Sequence, residues 1–86
     1  MADGFRIEIA NEFKRSTRKL DNSIIERLNN ALVRLVQDPF IGAPLQGPWR
    51  GFFKLRIGEY RLLYTIDAPE KLIILYRFAP RGHVYK

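Results

Sequence analysis

Four basic residues within positions 49–61 are spaced so that a β-hairpin would gather most of them in one place. The segment reads WRGFFKLRIGEYR and contains Arg50, Lys54, Arg56 and Arg61. Gly58-Glu59 fits a two-residue type II′ turn, because its first position needs the positive φ that glycine adopts easily. This turn would pair Arg56 with Arg61, and like charges opposite each other destabilise a sheet. The pair therefore predicts a bound anion, and arginine binds phosphate through paired hydrogen bonds.

Strand alternation extends this arginine pair into a basic face. The turn predicts the cross-strand pairs Ile57–Tyr60, Arg56–Arg61, Leu55–Leu62 and Lys54–Leu63. Because successive side chains point to opposite sides, one side would carry Arg50, Phe52, Lys54, Arg56 and Arg61. The other side would face the helices with Leu55, Ile57, Leu62, Tyr64 and Ile66. We expect the basic side to be uncovered, with no acidic residue inside either strand. A solvated polar face is the competing interpretation.

The last residues could add to the same face. The tail RGHVYK begins just past the final predicted strand and supplies Arg81, His83 and Tyr85. If the tail folds back, these side chains reach the hairpin, and Trp49 and Phe52 lie nearby. Aromatic residues beside cations suit stacking on nucleic-acid bases. For His83 a solvated position is an equally good interpretation, and Tyr85 could instead be a packing anchor.

The overall charge also favours a polyanionic partner. Residues 44–86 contain 8 basic and 3 acidic residues, against 7 and 6 in residues 1–43, within a net charge of +6. Nucleic acid is the commonest partner of such a patch. With no cysteine and one histidine, thiolate catalysis and zinc binding are not expected. No carboxylate pair suggests a magnesium site, and no cofactor is expected.

Hydrophobic periodicity predicts a small α+β fold. Phe5, Ile7 and Ile9 alternate as a strand, and Asn11 could cap a short helix. A longer helix should start at Asp21–Ser23, by a Ser23–Glu26 capping box or by Asp21, and end before Pro39. After a loop at 40–48, strands are expected over 52–57, 60–66 and 72–78. The order β-α-α-β-β-β predicts two layers, a mainly antiparallel sheet with both helices on one face.

Length and segment composition suggest how the chain is organised. Its 86 residues predict a single domain over 1–86. No apolar run approaches the length of a membrane span, and no signal peptide is evident at the start. A chain without cysteine suits a reducing cytosol. We therefore expect a cytoplasmic protein without a membrane partner.

Several of these segments resemble the RelE/ParE toxin superfamily of type II toxin–antitoxin modules. The resemblance covers essentially the whole chain. It rests on LDNSIIERLNNALVRLVQDP, on LQGPWRGFFKLRIGEYRLLYTID and on FAPRGHVYK. The pattern K-L-R-x-G-x-Y-R-L-x-Y and the terminal V-Y are together fairly specific for the family, and less specific for the activity of a member. RelE-like members are ribosome-dependent endoribonucleases that cleave mRNA in the ribosomal A site without a metal, by attack of the 2′-hydroxyl on the adjacent phosphate.

The resemblance also implies roles for individual residues. It implies catalytic roles for Lys54, Arg61, Arg81 and Tyr85, with Arg61 and Arg81 stabilising the phosphate and Tyr85 positioning a base. Arg50, Phe52, Arg56 and His83 would bind substrate. Many relatives have histidine just before the tail arginine, where this chain has Pro80, so the general base could be lysine or solvent.

The resemblance further implies partners for the chain and leaves two alternative functions open. A cognate RelB-like antitoxin would form a hetero-oligomer with the toxin, and the ribosome and mRNA would be its targets. We expect acidic antitoxin residues opposite the basic face. One alternative is a ParE-like toxin that inhibits DNA gyrase, since such relatives share the fold. Another is a non-catalytic RNA-binding module, which would bind RNA with steep salt dependence but would not arrest growth.

Overall fold

The structure is a computed structural model that describes residues 4–85. Its helices are α1 (Asn11–Ser16) and α2 (Asn22–Gln37), and its strands are β1 (Arg6–Ile9), β2 (Ala43–Pro44), β3 (Phe53–Ile57), β4 (Tyr60–Asp67) and β5 (Leu72–Pro80). The predicted α+β fold is confirmed. The sequence did not predict β2, because a two-residue strand is too short to show alternation. None of the helices within residues 4–85 has the length and apolar character needed to cross a membrane.

The five strands form one mixed sheet in the order β1-β5-β4-β3-β2. The last three strands are an antiparallel meander, and β1 pairs with β5 in parallel, with Ile7 opposite Ile73. The helical segment carries the chain from β1 at one edge to β2 at the other. As a result β5 is an inner strand, which agrees with its nearly continuous apolar sequence.

The main core lies between the helices and one face of the sheet. Helix α2 buries Leu28, Ala31 and Leu35 at the spacing of a single helical face. They pack with buried sheet residues, namely Ile57, Leu62, Tyr64, Ile73, Leu75 and Phe78. The side chains predicted to face the helices from β3 and β4 all belong to this core or pack against its edge.

The start of α1 differs from the sequence expectation, whereas α2 starts within the expected range and is capped by one of the two expected residues. Asn11 lies inside α1, and Ala10 is the N-cap residue. Asp21, the rival candidate to Ser23, is the N-cap of α2, but its side chain makes no capping hydrogen bond. The C-terminal end agrees with the prediction, because α2 stops at Gln37 and Pro39 follows its C-cap residue. The difference at Asn11 shifts the start of α1 by one residue.

Tyr64 ties the loop after α2 to the middle of the sheet. Its ring is fully buried, and its hydroxyl donates to the Pro39 carbonyl at 2.8 Å while accepting from the Gly42 N–H at 3.1 Å. Burial raises the pKa of the Tyr64 phenol, the Gly42 bond offsets part of this rise, and the Asp38 carboxylate adds to it. Gly42 must be small here, because a Cβ would lie 2.8 Å from the Lys54 carbonyl oxygen.

The face opposite the helices is covered over part of its area, which corrects the expectation of a bare face. Between β4 and β5 the register shifts, so that Leu63 faces Arg77 but Tyr64 faces Leu75. Tyr76 is thus an extra residue, and the bulge lets Tyr76 and Arg77 share this face. Leu63 and Val84 are fully buried although neither belongs to the core under the helices.

An aromatic cluster completes this covering layer. It consists of Trp49, Phe52, Tyr76 and Tyr85. Trp49 lies 5.2 Å from Phe52, 6.0 Å from Tyr76 and 5.9 Å from Tyr85 between ring centroids. Most of these pairs are edge-to-face, the arrangement that aromatic quadrupoles favour. The half-buried and exposed rings of the aromatic cluster therefore cover part of this face, and the uncovered part lies beside them, near the β3–β4 hairpin.

Candidate active site

The β3–β4 hairpin has the register that the turn chemistry predicts. Arg56 lies opposite Arg61, and the three other predicted pairs are present. Gly58 has φ +61°, as the first position of a type II′ turn requires. The acidic residue of these two strands is Asp67, at the end of β4 remote from the turn, so the expectation of no acidic residue inside either strand is wrong there. It does not neutralise the arginine pair.

Backbone carbonyls of the hairpin hold the Arg61 side chain. Its Nη1 donates to the Tyr60 carbonyl at 3.1 Å and to the Gly58 carbonyl at 3.4 Å. These dipoles place negative partial charge beside the guanidinium group, which offsets part of the repulsion from Arg56. Arg61 is consequently half-buried and fixed, whereas Arg56 is exposed.

A tight turn then brings the tail to the hairpin. The Arg81 N–H donates to the Glu59 carbonyl at 2.9 Å, and the His83 N–H donates to the Pro80 carbonyl at 3.0 Å. Gly82 has φ +90° at the third position of this second turn, as in a type II turn. The chain therefore reverses after β5, and residues 84–85 return over the sheet.

These segments border an open cavity of about 350 Å³. Its walls are formed by β3, β4 and the tail, through Lys54, Arg56, Arg61, Arg81, Gly82, Val84 and Tyr85. Four cationic side chains thus surround one space, and its lining residues include no carboxylate. Such a site favours a group with two or more negative charges, or a charge that grows during a reaction.

Five of the eight predicted site residues line this cavity. They are Lys54, Arg56, Arg61, Arg81 and Tyr85. Arg50, Phe52 and His83 are absent from the lining. Arg50 and His83 are exposed, and Phe52 belongs to the aromatic cluster. The parity argument fails at Arg50 because Gly51, at φ +97°, turns the chain before β3 begins at Phe53.

Sequence reasoning missed the residues that hold the tail in place. Arg77 donates from Nη1 to the Val84 carbonyl at 2.8 Å, and Val84 is fully buried. The signal was present in the sequence, because Arg77 is the one charged residue in the run LIILYRFAP. Within residues 4–85, no group of three His, Asp or Glu side chains is arranged to hold a metal ion.

Comparisons with known proteins identify the family. A family model described as "ParE toxin of type II toxin-antitoxin system, parDE" matches residues 7–85. The chain is 36% identical over 63 residues to Toxin YoeB of Synechocystis sp., covering 67% of this chain and 73% of that protein. It is 37% identical over 46 residues to Toxin RelG of Mycobacterium tuberculosis, covering 54% of this chain and 53% of that toxin.

Solved structures agree with this result. The crystal structure of the toxin–antitoxin complex RelBE2 from M. tuberculosis contains a chain with a TM-score of 0.83 and 29% identity, over 91% of this chain and 99% of that one. The intact E. coli RelBE complex has a TM-score of 0.76 at 21% identity, over 92% and 99%, and shows the shared fold alone. This chain belongs to the ParE toxin family of type II toxin–antitoxin systems, within the RelE/ParE superfamily.

Proposed function

We propose that this toxin is a ribosome-dependent endoribonuclease that cleaves mRNA in the ribosomal A site, and that the cationic cavity is its active site. The observation that carries the proposal is the convergence of Lys54, Arg56, Arg61 and Arg81 on one cavity with Tyr85 at its rim. A volume of about 350 Å³ lies within the usual range of ligand pockets. The mechanism that we propose concerns the phosphate at which the RNA is cleaved and the two sugars that this phosphate joins.

The reaction itself calls for charge stabilisation and positioning. The 2′-oxygen attacks the adjacent phosphorus, the bond from phosphorus to the 5′-oxygen breaks, and a 2′,3′-cyclic phosphate and a 5′-hydroxyl result. One proton leaves the attacking 2′-hydroxyl, and one proton is delivered to the departing 5′-oxygen. Between bond formation and bond cleavage, negative charge grows on the non-bridging oxygens of the phosphate. A preorganised cationic group beside these oxygens stabilises the transition state more than the ground state.

The residues of the cavity suit separate parts of this task. Arg61 is held by the Tyr60 and Gly58 carbonyls, so its charge does not have to reorganise during the reaction. Arg81 approaches from the tail and would bind the same phosphate from another side. Lys54 and Arg56 would hold the RNA backbone, and Lys54 is the candidate for proton transfer within the lining. Tyr85 is 43% exposed, so its ring is available to stack on a base.

The same proposal includes an antitoxin. RelBE2 and the E. coli relative were solved as toxin–antitoxin complexes. We propose that a RelB-like antitoxin forms a hetero-oligomer with this chain in the cytoplasm and covers the cationic cavity with acidic residues. A complex in which the antitoxin buries none of Lys54, Arg56, Arg61 or Arg81 would contradict this part of the proposal.

Gyrase inhibition is the second candidate function, because the matching family model is described as a ParE toxin and the resemblance to ParE-like toxins implies that activity. Two assays on toxin freed of its antitoxin separate the candidates. Primer extension on translated mRNA should show cuts inside the A-site codon, and a gyrase supercoiling assay should show no inhibition. Inhibited supercoiling without mRNA cleavage would replace the proposal with a ParE-like activity.

A further inference from the structure

We propose that Arg77 is a positioning residue that docks the C-terminal tail on the sheet at Val84 and so fixes Tyr85 at the cavity. Its catalytic consequence rests on the proposed nuclease function, whereas the docking itself does not. Arg77 is outside the cavity lining, so any effect on catalysis must act through the tail.

The contacts of Arg77 join three parts of the fold. From β5 its Nη1 donates to the Val84 carbonyl at 2.8 Å, and its Nε lies 3.4 Å from Glu12 Oε2 on α1. The Arg77 side chain is only 12% exposed, and its bond to Val84 is a charge-assisted hydrogen bond, whereas the contact with Glu12, whose side chain is 36% exposed, is an ion pair. The register shift at Tyr76 directs Arg77 to the tail side of the sheet.

The aromatic cluster holds the guanidinium plane in this position. The Arg77 Cζ lies 5.3 Å from the Tyr76 ring centroid and 5.8 Å from that of Trp49. Trp49 in turn contacts Tyr85 at 5.9 Å. The Nη1 hydrogen bond to Val84 and the Nε ion pair with Glu12 use separate nitrogens of one planar group that also packs on aromatic rings. The compact ammonium of lysine cannot reproduce this fork geometry.

The tail depends on such an anchor because it lies beyond the sheet. β5 ends at Pro80, and the Arg81 and His83 amides fix only the turn that follows. The next residue, Val84, is fully buried, and its carbonyl would be costly to leave without a donor. Arg77 satisfies that carbonyl one residue before Tyr85, so it sets where the Tyr85 backbone leaves the sheet.

The Arg77→Met variant tests docking without assuming catalysis. Methionine keeps an unbranched chain against the rings and removes the donors. The readouts on the free, full-length toxin are nuclear Overhauser contacts between the Trp49 and Tyr85 rings and the emission of Trp49, the one tryptophan of the chain. We expect the ring contacts to be lost and the emission to shift, with the β3–β4 amide signals retained. Ring contacts of wild-type intensity in Arg77→Met would overturn the proposal.

Arg15→Met is the matched control. Arg15 also pairs with Glu12, at 3.7 Å, but its side chain is 64% exposed and it lies on α1, outside the cavity lining. The control removes the same charge from the same carboxylate, so it should keep both the ring contacts and the cleavage rate. Loss of the ring contacts in Arg15→Met as well would assign the docking to Glu12 and not to Arg77, which overturns the proposal.

Cleavage assays then test the consequence for the active site. Misplacing a reacting group by about 1 Å can cost on the order of 100-fold in rate. We expect Arg77→Met to lower kcat by about 10- to 100-fold with little change in KM for ribosomes, and Arg77→Lys to recover only part of the loss. Lost docking with an unchanged kcat would overturn the positioning role. A wild-type toxin that does not cleave at all would overturn the proposed function, while the docking would still be judged by the ring contacts.

Discussion

Arg56 and Arg61 lie directly opposite each other across the β3–β4 hairpin, and the carbonyls of the hairpin turn bind the Arg61 guanidinium. The pair therefore has a fixed member and an exposed member. A fixed cation facing another cation is unfavourable for folding and favourable for holding an anion. This relationship links the stability of the free protein to its proposed activity.

The first prediction concerns anion-dependent stability. Inorganic phosphate should raise the Tm of the wild-type protein more than chloride does at equal ionic strength, because phosphate binds only to the folded cavity. Arg56→Gln should be more stable than the wild type by roughly 0.2–1 kcal/mol without phosphate, and it should gain less from phosphate. Thermal unfolding followed by circular dichroism measures both effects.

Arg18→Gln is the control for general charge effects. Arg18 is exposed on the α1 side and does not line the cavity. Its phosphate response should equal that of the wild type. Equal responses in all three proteins would mean that phosphate acts on the overall charge and not on the cavity.

The second prediction concerns Tyr64 and alkaline pH. Burial raises the folded-state pKa of Tyr64. The contribution of Tyr64 to the free energy of unfolding is therefore complete when the pH is below the unfolded-state pKa of about 10. Above that pH the unfolded chain loses the proton first, and stability falls as pH rises through the higher folded pKa. Tyr64→Phe should therefore show a shallower loss of stability above pH about 10.

The same variant should be less stable at neutral pH. Phenylalanine leaves the Pro39 carbonyl and the Gly42 N–H without the hydroxyl, which costs about 1–3 kcal/mol when such groups stay buried. Urea unfolding at pH 7 and at alkaline pH measures both effects. Parallel pH curves for the two proteins would show that another group causes the alkaline loss.

The third prediction concerns the close approach of Gly42 to β3. Gly42→Ala would bring a methyl group against the Lys54 carbonyl and the Tyr64 hydroxyl, so the loop must shift. We expect a loss of about 1–3 kcal/mol, the usual range for overpacking. Gly4→Ala is the control, because a Cβ there finds its nearest neighbour at 4.0 Å. Equal unfolding midpoints for both variants would contradict the close approach.

The fourth prediction concerns His83. His83 and Arg81 are both exposed, but Arg81 lines the cavity and His83 does not. His83→Ala should lower the cleavage rate by less than about 10-fold, below the range of about 100- to 10,000-fold expected for an essential general base. Single-turnover cleavage on programmed ribosomes measures this. A loss beyond 100-fold would make His83 the proton acceptor and require the tail to rearrange on the ribosome.

Local chemistry predicts some parts of this structure and not others. The hairpin register follows from Gly58-Glu59, and α2 follows from its apolar period and Pro39, because each is decided within a few residues. The bulge at Tyr76 could not be predicted, because a nearly continuous apolar strand has no alternation of polar and apolar residues that would reveal a change of register. The return of the tail depends on Arg77 contacts with Glu12 and Val84 that join distant segments. Five of the predicted site residues line one cavity. Arg50 does not line it, because Gly51 interrupts the strand alternation that would have placed Arg50 there.

Arg61→Ala tests the central claim most directly, because it removes the fixed cation of the cavity. Primer extension on translated mRNA, with toxin freed of its antitoxin, should show A-site cuts by the wild type. In the variant we expect a loss of about 100- to 1,000-fold, as for removal of one transition-state donor, with a Tm no lower than that of the wild type. Cleavage by Arg61→Ala at the wild-type rate would contradict the account.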